Sequence, residues 1–364
     1  MKKVLFVATV VQKHIKVFHT PYLEMFRQAG YETFVAAAND TGGEVCLPCC
    51  DRYVEIAFRR NPFHPANIGA FFRLRRLINS ENFDLIHCHT PVGGVLGRLA
   101  AAKARRRGTK VLYTAHGFHF YKGAPLINWL LYYPVEKLCA RLTDLLITIN
   151  REDYALARAK FGAKRVEYVP GVGVDLGRFT PSREGRAELR EALGIPESAK
   201  VILSVGELNA NKNHETVIRA IADTELYYIS AGAGDRQARL QRLIDELVPG
   251  GRVKLLGYRS DIAALCRAAD VYALPSLREG LNLSLMEAMA CALPVVCSRI
   301  RGNVDLIDPE GGVMFDPRSA VECRQAIEAL LSGDMPRMGR YNLSKIKDFS
   351  AERVSGIMRD LYGL

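Results

Sequence analysis

The sequence contains no apolar run near the ~18 residues that a membrane-spanning helix requires. It shows no internal repeat and no low-complexity stretch, which sets aside solenoids and biased tails. Its nine cysteines are odd in number and lack the spacing of a disulfide framework. Cys46, Cys49 and Cys50 lie close together, but no Cys/His pair follows at zinc-site spacing, so the expectation is reduced thiols in a cytoplasmic protein and no metal. A dinucleotide-binding G-x-G-x-x-G after a strand is also missing, since Ala231-Gly-Ala-Gly-Asp235 supplies only G-x-G. No nucleic-acid recognition motif is present, so nucleic acid is not an expected partner.

What is present is an ordinary globular composition, with 49% hydrophobic and 24% charged residues. A chain of 364 residues, at roughly 100–200 per domain, implies two domains. Met1-Lys2-Lys3 before the apolar Val4–Val11 has the outline of a signal peptide. Gln12-Lys13-His14 breaks it with no small-residue cleavage site behind, so it reads as a first buried strand. The net charge of +11 is uneven. Residues 1–170 carry 25 Lys+Arg against 13 Asp+Glu, or +12, and residues 171–364 carry 25 against 26, or −1. A basic first half suggests an anionic partner, and solvated helix faces are the plain alternative.

Short apolar runs alternate with helical periodicity along both halves. Val4–Val11, Thr33–Ala38, Leu85–His89, Val111–Ala115, Leu145–Ile149 and Val166–Val169 read as strands, with helices between them. Pro170 to Pro196 is a connection, and the pattern restarts at Val201–Val205. The expectation is α/β with two doubly wound parallel sheets: residues 1–172, residues 173–345, and a C-terminal amphipathic helix within 346–364 packing back on the first domain. Ligands of such sheets bind beyond the carboxyl ends of the strands, so two facing sheets would form a deep cleft.

The most informative segment runs strand, loop, helix, strand from Val271 to Val296. Glu279 falls in the loop and Glu287 eight residues later in the helix. Gly280 permits close backbone approach, and the amides of Asn282, Leu283 and Ser284 open the helix, where its dipole favours phosphate. Carboxylates beside such a site suit sugar hydroxyls.

This segment resembles the E-x7-E signature of the retaining nucleotide-sugar glycosyltransferases of family 4, which have the GT-B fold of two Rossmann-like domains. The Pro-Ser, Glu-Ala-Met-Ala and Leu-Pro-Val-Val around it make the resemblance specific. It implies that Glu279 holds donor-sugar hydroxyls, that Glu287 holds the nucleotide ribose, and that amides at Asn282 and Leu283 meet the diphosphate. Ser204-Val-Gly-Glu-Leu-Asn-Ala-Asn-Lys212 is similar to the segment that carries an Arg and a Lys for that diphosphate. Gly206 lies in it and Lys212 matches the Lys, whereas Glu207 stands where the Arg is expected, so diphosphate binding would lean on Lys212 and backbone amides. Asp84-Leu-Ile-His87-Cys-His89, Thr114-Ala-His116-Gly-Phe-His119 and Glu136 resemble the bacterial enzymes that extend polyprenyl-diphosphate-linked sugars. By this resemblance His116 is the active-site histidine. The family's N-terminal loop is usually glycine-rich. Here Val10–Phe18 has no glycine but holds Lys13, His14 and Lys16, followed by His19. These residues, with His89 and His119, are candidates for meeting an acceptor phosphate.

The resemblance implies transfer of a hexose or N-acetylhexosamine from a UDP-sugar, with retention, to a polyprenyl-diphosphate-linked or glycan acceptor. His116, Glu279 and Lys212 would be catalytic, and no cofactor or metal would be required. Nucleotide-sugar 2-epimerases share the fold but lack this E-x7-E context as a rule, and a non-catalytic sugar-binding subunit is the other alternative. Trp129, the only tryptophan, with Tyr132, Tyr133 and nearby Arg73, Arg75, Arg76 and Arg105–Arg107, suggests a peripheral site on the anionic inner face of the plasma membrane. An ordinary core helix is the competing reading.

Overall fold

A computed structural model describes all 364 residues. They divide into two compact units, Met1–Val172 with Val354–Leu364, and Gly173–Arg353.

The first unit holds β1 (Lys2–Val10), α1 (Thr20–Gln28), β2 (Tyr31–Ala38), β3 (Arg52–Glu55), α2 (Ala66–Glu81), β4 (Leu85–His89), α3 (Pro91–Arg106), β5 (Lys110–Ala115), α4 (Leu126–Ala140), β6 (Leu145–Thr148), α5 (Arg151–Lys160) and β7 (Arg165–Tyr168). Its seven strands run in the order β3-β2-β1-β4-β5-β6-β7, all parallel. The strands are apolar runs because helices cover both faces. Leu5 and Val7 enter one core, while Val4, Phe6 and Ala8 enter the other.

The second unit holds α6 (Arg186–Ala192), β8 (Val201–Val205), α7 (His214–Ala220), β9 (Tyr227–Ala231), α8 (Gln237–Leu247), β10 (Val253–Leu255), α9 (Ile262–Ala268), β11 (Val271–Leu274), α10 (Leu283–Ala290), β12 (Val295–Ser298), α11 (Asn303–Leu306), β13 (Gly312–Phe315), α12 (Ala320–Ser332) and α13 (Met335–Lys345). Its six parallel strands are ordered β10-β9-β8-β11-β12-β13. Val201 and Leu203 face one core and Ile202 the other.

Residues 346–353 stay with the second unit, eight residues beyond the boundary expected at 345. Ile346 and Phe349 are buried in its core, and Val174 pairs with the segment through Val174 N–H to Phe349 O and Ala351 N–H to Val174 O, both at 2.9 Å. The last helix, α14 (Ala351–Tyr362), buries Val354, Met358 and Tyr362 in the first unit's core.

Two further features depart from expectation. The Val11–Lys16 segment, expected as a loop, forms a π-helical turn, and Gln12 N–H and Lys13 N–H donate to the Asp40 carboxylate. On α4 the aromatics turn inward. Trp129 and Tyr133 lie half-buried with their ring centroids 5.5 and 5.4 Å from that of Phe120. The outward face is aliphatic instead: Leu126, Ile127, Leu130, Leu131, Val135 and Leu138 are all exposed.

Candidate functional site

In each sheet the strand order reverses beside the first strand of its unit, between β1 and β4 and between β8 and β11. Open parallel sheets bind ligands at such a crossing, beyond the strands' carboxyl ends. Both groups of candidate residues lie there, each within its own unit.

In the second unit, the loop after β8 carries Gly206 and Lys212, and the loop after β11 carries Glu279, Gly280 and Asn282. The two loops are joined. Leu277 N–H donates to Asn211 O at 2.8 Å, and the Asn211 side chain donates to Arg278 O at 2.9 Å. Asn213 adds a 3.1 Å bond to Pro275 O. Across this junction Lys212 Nζ donates to Glu279 Oε1 at 2.8 Å. Gly206 makes room for the lysine stem, because a Cβ there would lie 3.0 Å from Lys212 Cε.

Asn282 caps α10, its side chain accepting Leu285 N–H at 2.9 Å. The cap aligns the start of the helix, at Leu283, with the Glu279 loop. Glu287 follows on the same helix. Burial pushes its carboxyl up from the usual range to about 7, and Arg178 opposes the shift. Glu207 is exposed and accepts a 3.0 Å bond from Asn209.

Sequence reasoning missed two neighbours. Buried Arg301, beyond the end of β12, donates from Nε to Glu279 O at 3.3 Å. Gly302 packs so closely that a Cβ would lie 2.2 Å from Gly280 O. Arg301-Gly302 after a strand was the available signal, but only the packing of two loops far apart in sequence connects it to Glu279.

In the first unit, five of the eight histidines gather at the ends of β1, β4 and β5. His87 is a structural member, since its ring nitrogens bond Tyr362 Oη at 2.9 Å and Thr114 Oγ1 at 2.8 Å. His14, His19, His89 and His116 place nitrogen atoms within 4.8 Å of one another. Burial lowers all four well below the usual imidazole range, His116 to about 4. They are therefore neutral at pH 7 and offer lone pairs rather than charge.

Thr90, next to His89, holds a positive φ of 62° and accepts Thr9 N–H at 2.9 Å, fixing the crossing between β1 and β4. Lys13 and Lys16 are exposed on the π-helical turn. His119 turns away from the cluster, its ring 4.8 Å from that of Tyr132. Glu136 is buried with a structural partner, Arg98, at 2.8 Å. A concavity of about 390 Å³ lies at the opposite, amino ends of β1, β4 and β5, away from these side chains.

Comparison with known proteins converges on one chemistry. Residues 185–344 match the family described as glycosyl transferases group 1, and residues 22–178 match glycosyltransferase family 4. EpsD of Bacillus subtilis (strain 168), a glycosyltransferase by name, is 41% identical over 99% of this chain and 96% of its own length. The Escherichia coli UDP-Gal:alpha-D-GlcNAc-diphosphoundecaprenol alpha-1,3-galactosyltransferase is 31% identical over 67% of this chain and 65% of its own length. Among solved structures, Anabaena HepE in complex with UDP and glucose superposes with a TM-score of 0.82 at 20% identity, covering 100% of both chains. Sucrose-phosphate synthase from Thermosynechococcus elongatus gives 0.81 at 20% identity, covering 100% of this chain and 98% of that one. The chain belongs to the group 1 and family 4 glycosyltransferases, and its two parallel-sheet α/β units are those of the GT-B fold.

Proposed function

We propose that this chain is a retaining hexosyl- or N-acetylhexosaminyltransferase. It takes the sugar from a UDP-linked donor and places it on a polyprenyl-diphosphate-linked or glycan acceptor, in bacterial capsule or exopolysaccharide assembly. The observation that carries this reading is the paired Lys212 and Glu279 at the β8/β11 crossing, with Glu287 on the helix that follows. Lys212 and the α10 amides near Leu283 suit a diphosphate, Glu279 suits sugar hydroxyls, and Glu287 suits a ribose. The E. coli relative supports the donor and acceptor classes, because its name states UDP-Gal, a diphosphoundecaprenol acceptor and an alpha product. HepE binds UDP and glucose, which supports a uridine nucleotide.

In the proposed step the bond from the anomeric carbon to the donor phosphate oxygen breaks. The acceptor hydroxyl oxygen attacks from the same face, and its proton passes to the departing phosphate oxygen. No enzymic nucleophile is used. Positioning and neutralisation of the leaving diphosphate carry the rate, and His116 is assigned a catalytic role by the family resemblance. No metal or cofactor is required by this scheme.

We infer a peripheral membrane location on the cytoplasmic side. The exposed aliphatic face of α4 supports it, as do the +12 charge of residues 1–170 and exposed Arg73, Arg75, Arg76, Arg106 and Arg107. No helix is long and apolar enough to cross a membrane.

The deciding experiment incubates the protein with a panel of UDP-sugars, with and without polyprenyl-diphosphate-linked acceptor sugars. Acceptor-dependent UDP release with a lengthened acceptor is expected. Isomerised UDP-sugar without UDP release would mean an epimerase, and no turnover with any pair would point to a sugar-binding subunit.

A further inference from the structure

We propose that His14, His19, His89 and His116 form a binding site for a divalent transition metal of the zinc class. This goes beyond the transfer reaction and does not depend on it.

The fold itself brings the four together. His89 ends β4, His116 follows β5, and His14 and His19 flank the end of the π-helical turn after β1. Because β1, β4 and β5 are neighbours in the sheet, their ends deliver imidazoles to one point. The π-helical turn matters here, since it brings His14 Nε2 to 3.2 Å from His19 Nε2. The second pair, His116 Nε2 and His89 Nδ1, is 3.4 Å apart. A tetrahedral site with metal–nitrogen bonds of about 2.05 Å places its ligand nitrogens about 3.4 Å apart. Both pairs already span such an edge. With all four atoms within 4.8 Å, ring shifts of about 1 Å complete the tetrahedron.

The chemistry of the donor set agrees. Imidazole nitrogen suits zinc, copper, nickel and iron rather than magnesium or calcium, which prefer oxygen. Two buried atoms on the outer side of the rings, His19 Nδ1 and His89 Nε2, have no hydrogen-bond partner. Ligating histidines usually donate this second nitrogen to a carboxylate or carbonyl, and losing that support costs about 10–100-fold in affinity. Four neutral ligands also leave the metal's 2+ charge unbalanced. The site is therefore one for exchangeable metal. Occupancy takes up His116 Nε2, so metal would oppose the role proposed above for His116.

The test is titration of metal-stripped, full-length protein with Co²⁺, followed by displacement with Zn²⁺. One Co²⁺ per chain is expected, with the visible d–d absorption of a tetrahedral nitrogen site and no thiolate-to-cobalt charge-transfer band. His14→Gln, a half-exposed position, should weaken Co²⁺ and Zn²⁺ binding at least about tenfold. The triple change Cys46→Ser, Cys49→Ser, Cys50→Ser should leave it unchanged. Thiolate bands that vanish in the triple variant, octahedral Co²⁺ spectra, or unaltered affinity in folded His14→Gln would overturn the proposal. The wild-type spectrum decides even if a histidine variant fails to fold. No readout requires turnover, so failure of the metal site and failure of the transferase reading remain distinct.

Discussion

Lys212 and Glu279 hold one another at 2.8 Å across two loops that lie 67 residues apart in sequence, with side chains only 17% and 12% exposed. The pair aims a cation and a carboxylate at the same strand-end site. Each neutralises the other, and on the proposed reading a donor's diphosphate and hydroxyls would take the place of that pairing. In such a pair the two groups act as a unit, and their contributions do not add.

Lys212→Met and Glu279→Gln should each lower kcat/KM by roughly 10–150-fold, the range of a charge-assisted bond of about 1.5–3 kcal/mol. The double variant should lose much less than the product of the two, with a coupling of about 0.5–3 kcal/mol. Steady-state kinetics on folded variants provides the cycle. Strictly multiplicative losses would mean that the two groups serve separate sites.

Glu287 predicts a pH dependence for nucleotide binding. A carboxylate accepts from both ribose hydroxyls, whereas a protonated acid accepts less well. With its carboxyl near pH 7 in the free protein, UDP affinity should rise with pH and level off above 7. Below 7 it should fall by up to about tenfold per pH unit. Calorimetry from pH 5.5 to 8.5 measures this, and Glu287→Gln should flatten the profile. Stability runs the other way. The folded-state value lies above the unfolded one, so the benefit of burying the neutral acid is full below about pH 4.5 and is lost as pH rises through 7. Glu287→Gln should therefore be more stable than wild type at pH 8, by an amount on the order of 2 kcal/mol, and nearly equal to it at pH 4.5.

Gly302 should tolerate no side chain. Its φ is +83°, and a Cβ would stand 2.2 Å from Gly280 O, so Gly302→Ala has to displace the Glu279–Gly280 loop. Donor KM should rise and stability should fall by about 1–3 kcal/mol. Gly194 is the control, because its φ is +61° but nothing lies within 4 Å. Gly194→Ala should cost only the backbone strain of about 1–2 kcal/mol and leave donor KM unchanged. Equal kinetic effects from the two changes would remove the Gly302 contact from the site.

Membrane binding should depend on α4 and on salt together. Each basic residue near an anionic surface contributes about 1 kcal/mol, and burying an exposed Leu side chain adds about 1.5–3 kcal/mol. Co-sedimentation should show binding to anionic vesicles at low salt, less at high salt, and little to neutral vesicles. Leu126→Asp with Leu130→Asp, at the two most exposed leucines of α4, should abolish it without unfolding the chain. Equal binding to both vesicle types, or none to either, would assign the basic charge to a soluble anion or to solvated helices.

The sequence by itself determined the parts of this protein that local chemistry writes down. Buried strands flanked by helices leave continuous apolar runs such as Val4–Ala8, so the alternating α/β order was legible. The motif around Glu279 and Glu287 was legible because one loop and one helix carry both residues. Tertiary structure decided the rest. The edge strands β3 and β13 escaped notice because Arg52–Glu55 is charged and only partly buried, and Gly312–Phe315 follows a glycine. The inward turn of Trp129 depends on Phe120, which packs against it from another segment. The Lys212–Glu279 pair, the approach of Arg301 and Gly302, and the four converging imidazoles all join residues far apart along the chain. Such contacts exist only once parallel strands have been ordered side by side. That order depends on long-range packing, which no local pattern in the sequence specifies.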